Sequence, residues 1–208
     1  VNWVNSCMLD GDVGYISLYE FSGDCSPSFA VHLDNLMNQG AKALVIDLRD
    51  NPGGWVDDAQ KVADMFLEEG NVASLVYRDG TTELYTTTTD GKENPIPLVV
   101  LVNEYSASAS EILAGALQDR GRATIVGTQT FGKGIVQSLF PLEDGDAIKL
   151  TTAKYFTPNG NYIHGVGIDP DIELEYEYLD PDGEQYEIQY DNQVQKAIEV
   201  LSEKTQND

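Results

Sequence analysis

Positive charge is what this chain has least of: 12 Lys and Arg stand against 35 Asp and Glu, a formal charge of −23. Such a surface repels phosphate backbones and anionic lipid, so no nucleic-acid partner and no membrane contact is expected, and the acidity reads as solubility. Long apolar runs are missing too, since no stretch approaches the roughly 18 residues of a membrane span. No basic-then-apolar leader opens the chain, and its start at Val1-Asn-Trp-Val is expected to be that of a mature product. Histidine is scarce: His32 falls in an expected helix and His164 in a loop, with no metal-ligand spacing and nothing that asks for a histidine triad. Neither a metal nor a cofactor is expected. The two cysteines, Cys7 and Cys25, leave open a pair in an oxidising compartment or two buried thiols.

What is present suits one domain with a sizeable core in 208 residues. Val13, Tyr15, Ile16 and Leu18 alternate as a strand within 12–21. Ser26-Pro27 reads as a helix start, with Phe29, Leu33, Leu36 and Met37 as the apolar stripe and Gly40 as the stop. Residues 43–48 form a continuous apolar strand, as expected when both faces are covered. A sharp turn at Asp50-Asn-Pro-Gly-Gly54 then leads into a helix buried through Ala59, Val62, Ala63 and Phe66. Residues 72–77 and 82–88 read as a hairpin around Asp79-Gly80. The strand, turn, helix pattern recurs over 98–117, and short strands follow at 123–126, 135–140 and 147–155. Repeated β-β-α units of this kind predict an α/β fold. Residues 1–175 are read as the core. Residues 176–208 are read as an acidic loop and an amphipathic helix through Val194, Ala197, Ile198 and Leu201. Asp180-Pro-Asp-Gly-Glu184 lacks the further oxygens and terminal glutamate of a calcium loop.

Two stretches carry chemistry. Asn103-Glu-Tyr-Ser-Ala-Ser-Ala-Ser-Glu-Ile112 joins an apolar strand to a helix with Ile112, Leu113, Ala116 and Leu117 on one face. A serine at such a junction lies near unpaired N–H groups and the positive end of the helix dipole, which favours the anionic intermediate of acyl transfer. Thr130-Phe-Gly-Lys-Gly-Ile-Val-Gln137 supplies a lysine between glycines, and a desolvated lysine can activate a hydroxyl. Taken alone, Ser106, Ser108 and Ser110 are all good helix-start residues, and Lys133 reads as a surface lysine in a turn. Gly127-Thr-Gln-Thr-Phe-Gly-Lys133 opens like a phosphate-binding loop. However, Gly134 and a strand-like run follow, where Ser or Thr and a helix are required. The G-x-S-x-G elbow of esterases is absent.

These stretches, with Asp47-Leu-Arg-Asp-Asn-Pro-Gly-Gly54, Lys154-Tyr-Phe-Thr-Pro-Asn-Gly160 and Gly165-Val-Gly-Ile-Asp-Pro-Asp171, resemble the C-terminal processing peptidases. These are S41-type, tail-specific serine proteases with a Ser/Lys dyad, and the resemblance runs from about Met8 to about Leu174. It implies a ClpP/crotonase-like spiral fold, Ser108 as nucleophile, Lys133 as general base and Gln137 as the partner that directs its amine. On a strand, positions 133 and 137 would face the same side. It also implies an oxyanion hole from the N–H groups of Ala109 and Gly54, with Gly53 as the nearer rival for the second donor. A side chain at that glycine would obstruct the substrate carbonyl. The glycines beside Lys133 would let backbone and substrate approach closely.

The expected activity is a serine endopeptidase acting on proteins or peptides near their C-termini. A lysine at its ordinary pKa of about 10.4 is charged at neutral pH, so the mechanism requires burial to lower it. By resemblance the partners include an upstream PDZ domain, which these residues do not encode, and a homo-oligomer. The expected location is outside the cytoplasm of a bacterium. Asn161 stands where arginine is usual, leaving that surface less basic. Two alternatives remain: a catalytically silent binding module of the same fold, and a crotonase-like acyl-CoA enzyme.

Overall fold

The computed structural model describes residues 2–88, 93–142, 146–180, 183 and 185–205. In chain order the elements are β1 (Val4–Leu9), β2 (Val13–Leu18), α1 (Cys25–Asn38), β3 (Ala43–Asp47), α2 (Val56–Asp64), β4 (Gly70–Tyr77) and β5 (Thr82–Thr87). Then come β6 (Leu98–Val102), α3 (Ala109–Asp119), β7 (Thr124–Gly127), β8 (Ile135–Pro141), β9 (Ala147–Phe156), β10 (Ile172–Glu173), a 3-10 turn (Ile188–Tyr190) and α4 (Asn192–Thr205). The fold is mixed α/β. One sheet runs β1-β2-β3-β6-β7-β10 and a smaller one runs β5-β4-β9-β8.

The apolar run of β3 is buried on both faces because helices cover both. Leu44 and Ile46 point into the core shared with Phe29 and Leu36 of α1, Val62 of α2 and Leu113 of α3. Ala43 and Val45 point the other way, toward Val194, Ala197, Val200 and Leu201 of α4. β6 divides in the same way: Leu98, Val100 and Val102 face one core and Val99 and Leu101 the other. β2, β3, β6 and β7 pair in parallel, so their carboxyl ends lie along one edge of the sheet. Ligands of open α/β sheets bind at such an edge.

Several local expectations are corrected. β1 is an added strand, antiparallel to β2 and turned back at Asp12 with φ 59°. Its polar Asn5 and Ser6 hid it from a hydrophobicity pattern. α1 starts at Cys25, and Ser26 does not cap it; the Ser26 hydroxyl is buried and donates to Asp58 Oδ1 at 2.8 Å. Met37 of the expected stripe is exposed. Cys7 and Cys25 are free thiols, exposed on β1 and buried in α1 respectively, so they are neither a disulfide nor two buried thiols. Within the acidic stretch, Pro181, Asp182 and Glu184 lie outside the described residues.

Candidate active site

Strand β6 runs into the turn 103–108 and then α3, and strand β3 runs into the turn 48–54 beside it. The two turns are bolted together by polar atoms. Asn103 Oδ1 accepts the Asp50 N–H at 2.9 Å, and its Nδ2 donates to Asp50 Oδ1 at 3.0 Å. Ser106 Oγ donates to the Leu48 carbonyl at 2.7 Å, and Ser110 Oγ donates to the Asn51 carbonyl at 2.9 Å. The same Asn51 carbonyl accepts the Ala107 N–H at 3.0 Å. Ser106 and Ser110 are fully buried, so their hydroxyls hold the turn closed. Ser108 remains partly exposed, at φ 57° and ψ −115°, a region that non-glycine residues seldom occupy.

The second turn brings two glycines to the serine. A Cβ on Gly53 (φ 100°) would lie 2.6 Å from the Ala107 carbonyl oxygen and 2.7 Å from Ser108 Cβ. Only glycine allows that approach. The Gly53 N–H is occupied, donating to Asn51 Oδ1 at 2.9 Å. Among the described residues, the N–H groups of Gly54 and Ala109 have no acceptor. A Cβ at Gly54 would meet the Phe21 carbonyl oxygen at 2.0 Å, so the chain leaving β2 by itself requires glycine there.

The link from the serine to the lysine is Glu111, which the sequence reading passed over. This residue is completely buried, and its carboxylate accepts four hydrogen bonds. Oε2 takes the N–H of Ser108 at 2.9 Å and of Lys133 at 2.8 Å. Oε1 takes the Gly132 N–H at 2.7 Å and the Thr130 hydroxyl at 2.6 Å. A carboxylate with four lone-pair sites is saturated by this set, and bonds to a charged acceptor are the stronger kind. Its sequence signal was the Ser108-x-x-Glu111 spacing of a capping box at the start of an otherwise apolar helix.

Lys133 is half-buried, in the loop before β8. Its flanking glycine Gly134 serves the protein's own packing, since a Cβ there would lie 2.6 Å from the His164 nitrogen. Gln137 is exposed on β8. Lys133 precedes β8, so strand alternation by itself does not set its side relative to Gln137; the register shift beside Val136 and Gln137 places its extra residue, Thr152, on β9. Tyr155 of β9 is another residue missed in the sequence. Its buried phenol donates to the Ser108 carbonyl at 3.1 Å.

A cleft of about 520 Å3 opens nearby, reaching Asp50 and Asn103 but lined by neither Ser108 nor Lys133. Its floor is ionic: Arg49 bonds Asp47 Oδ2 at 2.6 Å and Asp191 Oδ2 at 2.8 Å, and Tyr15 donates to Asp47 at 2.6 Å. Burial and the Asp47 charge hold the Tyr15 phenol far above its ordinary value, so it stays a donor. Among the described residues, no three His, Cys, Asp or Glu gather as a metal would require. No helix among them is long and apolar enough to cross a membrane.

The family model for Peptidase family S41 matches residues 12–174. The chain is 49% identical over 163 residues to a carboxyl-terminal-processing protease of Synechocystis sp., which covers 78% of this chain and 38% of that protein. It is 42% identical over 193 residues to the enzyme of that name from Picosynechococcus sp., covering 92% and 45%. Among solved structures, the photosystem II D1 C-terminal processing protease superposes with a TM-score of 0.78 at 34% identity, covering 88% of this chain and 50% of that one. The chain thus spans about half the length, or less, of these relatives. From the matched residues and the shared fold, the chain belongs to peptidase family S41, the serine peptidases that include the carboxyl-terminal processing proteases.

Proposed function

We propose that this chain is the peptidase core of a serine endopeptidase that cleaves protein substrates near their C-termini, with Ser108 and Lys133 as its reacting pair. The observation that carries the reading is the Glu111 carboxylate, whose Oε2 binds the backbone N–H of both residues. Ser108 Oγ attacks the scissile carbonyl while the neutral Lys133 amine takes its proton. The N–H groups of Gly54 and Ala109 receive the oxyanion. As the tetrahedral intermediate collapses, Lys133 returns the proton to the leaving amine. Water then attacks the acyl-enzyme with Lys133 again as base. Gln137 enters as a partner of the lysine amine on resemblance alone. The preference for C-terminal segments rests on the names of the relatives, and a location outside the cytoplasm of a bacterium goes with it.

The test is digestion of unfolded casein, with covalent labelling by a fluorophosphonate in parallel. Ser108→Ala should abolish both signals. Lys133→Ala should slow both by about a hundredfold or more, the scale of a lost general base. A Lys133→Ala variant as fast as the parent would end the dyad reading, and labelling at any other serine would end the assignment of Ser108. Cleavage of a substrate with its C-terminus amidated as fast as with it free would remove the C-terminal preference.

A further inference from the structure

Ser108 and Lys133 lie on separate loops, and a proton can pass between them only if the two loops are held at a set separation. One such tie is Glu111. Tyr155 makes a second: its phenol donates to the Ser108 carbonyl at 3.1 Å, and its own N–H donates to the Gly134 carbonyl, next to Lys133, at 3.1 Å. Both backbone polar atoms of Ser108 are therefore gripped, the N–H by Glu111 and the carbonyl by Tyr155. On the lysine side the same two residues hold the Lys133 N–H and the Gly134 carbonyl. The Ser108 carbonyl already accepts the Ile112 N–H of α3 at 3.0 Å, so the phenol is not needed to satisfy it. What the phenol adds is direction, at a residue whose backbone sits at φ 57°.

We propose that Tyr155 is a positioning residue for the reaction. Its phenol and its amide hold the serine turn and the lysine loop at the separation that proton transfer requires. The inference rests on reading Ser108 and Lys133 as the reacting pair. The hydrogen bonds of its phenol and its amide both end on backbone carbonyls, so Tyr155 acts through the backbone. Burial, and then the Glu111 charge, push its phenol well above the ordinary value, which keeps it a donor.

Tyr155→Phe keeps the ring and removes the one hydroxyl. In the full chain with casein, kcat and the rate of fluorophosphonate labelling should fall roughly tenfold to a hundredfold, the scale of a small misplacement of reacting groups. KM should stay within about twofold and the thermal midpoint within a few degrees. Because Glu111 spans the same gap, the effect of Tyr155→Phe should be smaller in a Glu111→Gln background. A folded Tyr155→Phe protein with parental kcat and labelling rate would overturn the inference. So would a change confined to KM, strict additivity with Glu111→Gln, or a Tyr155→Phe chain that does not fold, which would make the hydroxyl structural. Ser108→Ala and Lys133→Ala run alongside: if they retain activity the dyad reading fails, and if they lose it while Tyr155→Phe does not, only the role of Tyr155 fails.

Discussion

Around Ser108 three hydroxyls alternate along one short turn, and burial separates them. Ser106 and Ser110 are fully buried donors to carbonyls of the neighbouring turn, whereas Ser108 faces partly outward. Ser110→Ala should cost about 1 kcal/mol of stability, the net worth of one buried hydrogen bond, and Ser106→Ala about 2 kcal/mol, because its hydroxyl also accepts the Asn103 N–H at 3.0 Å. Ser108→Ala, at the N-cap of α3, should cost about 0.5–2 kcal/mol and is the one of the three that should end covalent labelling. Urea melts of the three variants beside a labelling gel would check the division. Gly53→Ala forces a Cβ against the Ala107 carbonyl and Ser108 Cβ at a positive φ. It should cost at least about 1–3 kcal/mol and lower the labelling rate together with the midpoint. The candidate serine and lysine were legible because motifs occupy contiguous residues. Tyr155 was not, because a bond from a distant strand leaves no mark on local spacing; for Glu111 the Ser-x-x-Glu spacing of a capping box was visible, but its bonds to the lysine loop were not.

At the scale of elements, α4 forms a layer of its own on the sheet. Val194, Val200 and Leu201 bury against β3, β6 and β7, each contributing about 1.5–3 kcal/mol relative to exposure. The helix is further fastened at its start. Asp191 is fully buried; its Oδ1 accepts the N–H groups of Gln193 and Val194, and its Oδ2 pairs with Arg49. Asp191→Ala removes a cap and one of the two carboxylates around a buried guanidinium, so a loss on the order of 3 kcal/mol is expected in denaturant melts. A loss below about 0.5 kcal/mol would mean that Asp47 alone satisfies Arg49. The helices and the central strands followed from periodicity. β1 did not, since an edge strand with polar residues carries little alternation, and α1 began early because Ser26 was recruited by Asp58 on another helix.

For the whole molecule, the charge of −23 opposes compaction. Raising sodium chloride from about 0.01 to 0.15 M shortens the Debye length from about 30 to 8 Å, so the thermal midpoint should rise. A fall would show that ion pairs such as Arg49–Asp191 outweigh self-repulsion. Alkali should act in the opposite direction. Burial, aided by Asp58, pushes the Cys25 thiol from 9.0 up to about 11. The folded state therefore holds a proton that the unfolded chain releases first. This stability is fully present below pH 9.0 and is lost as pH rises toward 11. Tyr155, raised above 10.0 by burial and then Glu111, adds the same sign at higher pH. The midpoint should fall from about pH 9 in the parent and less steeply in Cys25→Ala, where the Cys7 thiol, also raised by burial, still contributes. Superimposable profiles for the two proteins would remove Cys25 from the account.

Residue order alone carried the family, the α/β class, the strands around β3 and β6, and the candidate serine and lysine, because periodicity and contiguous motifs are local properties. Three-dimensional packing settled what depends on distant partners: which serine stays accessible, which glycine N–H is already occupied, and that Glu111 and Tyr155 join two loops. It also showed that Lys133 lies in the loop before β8 while Gln137 lies on the strand, and that α4 closes the far side of the sheet. Those outcomes arise from hydrogen bonds and burial between segments far apart in the chain, where period and spacing hold no information.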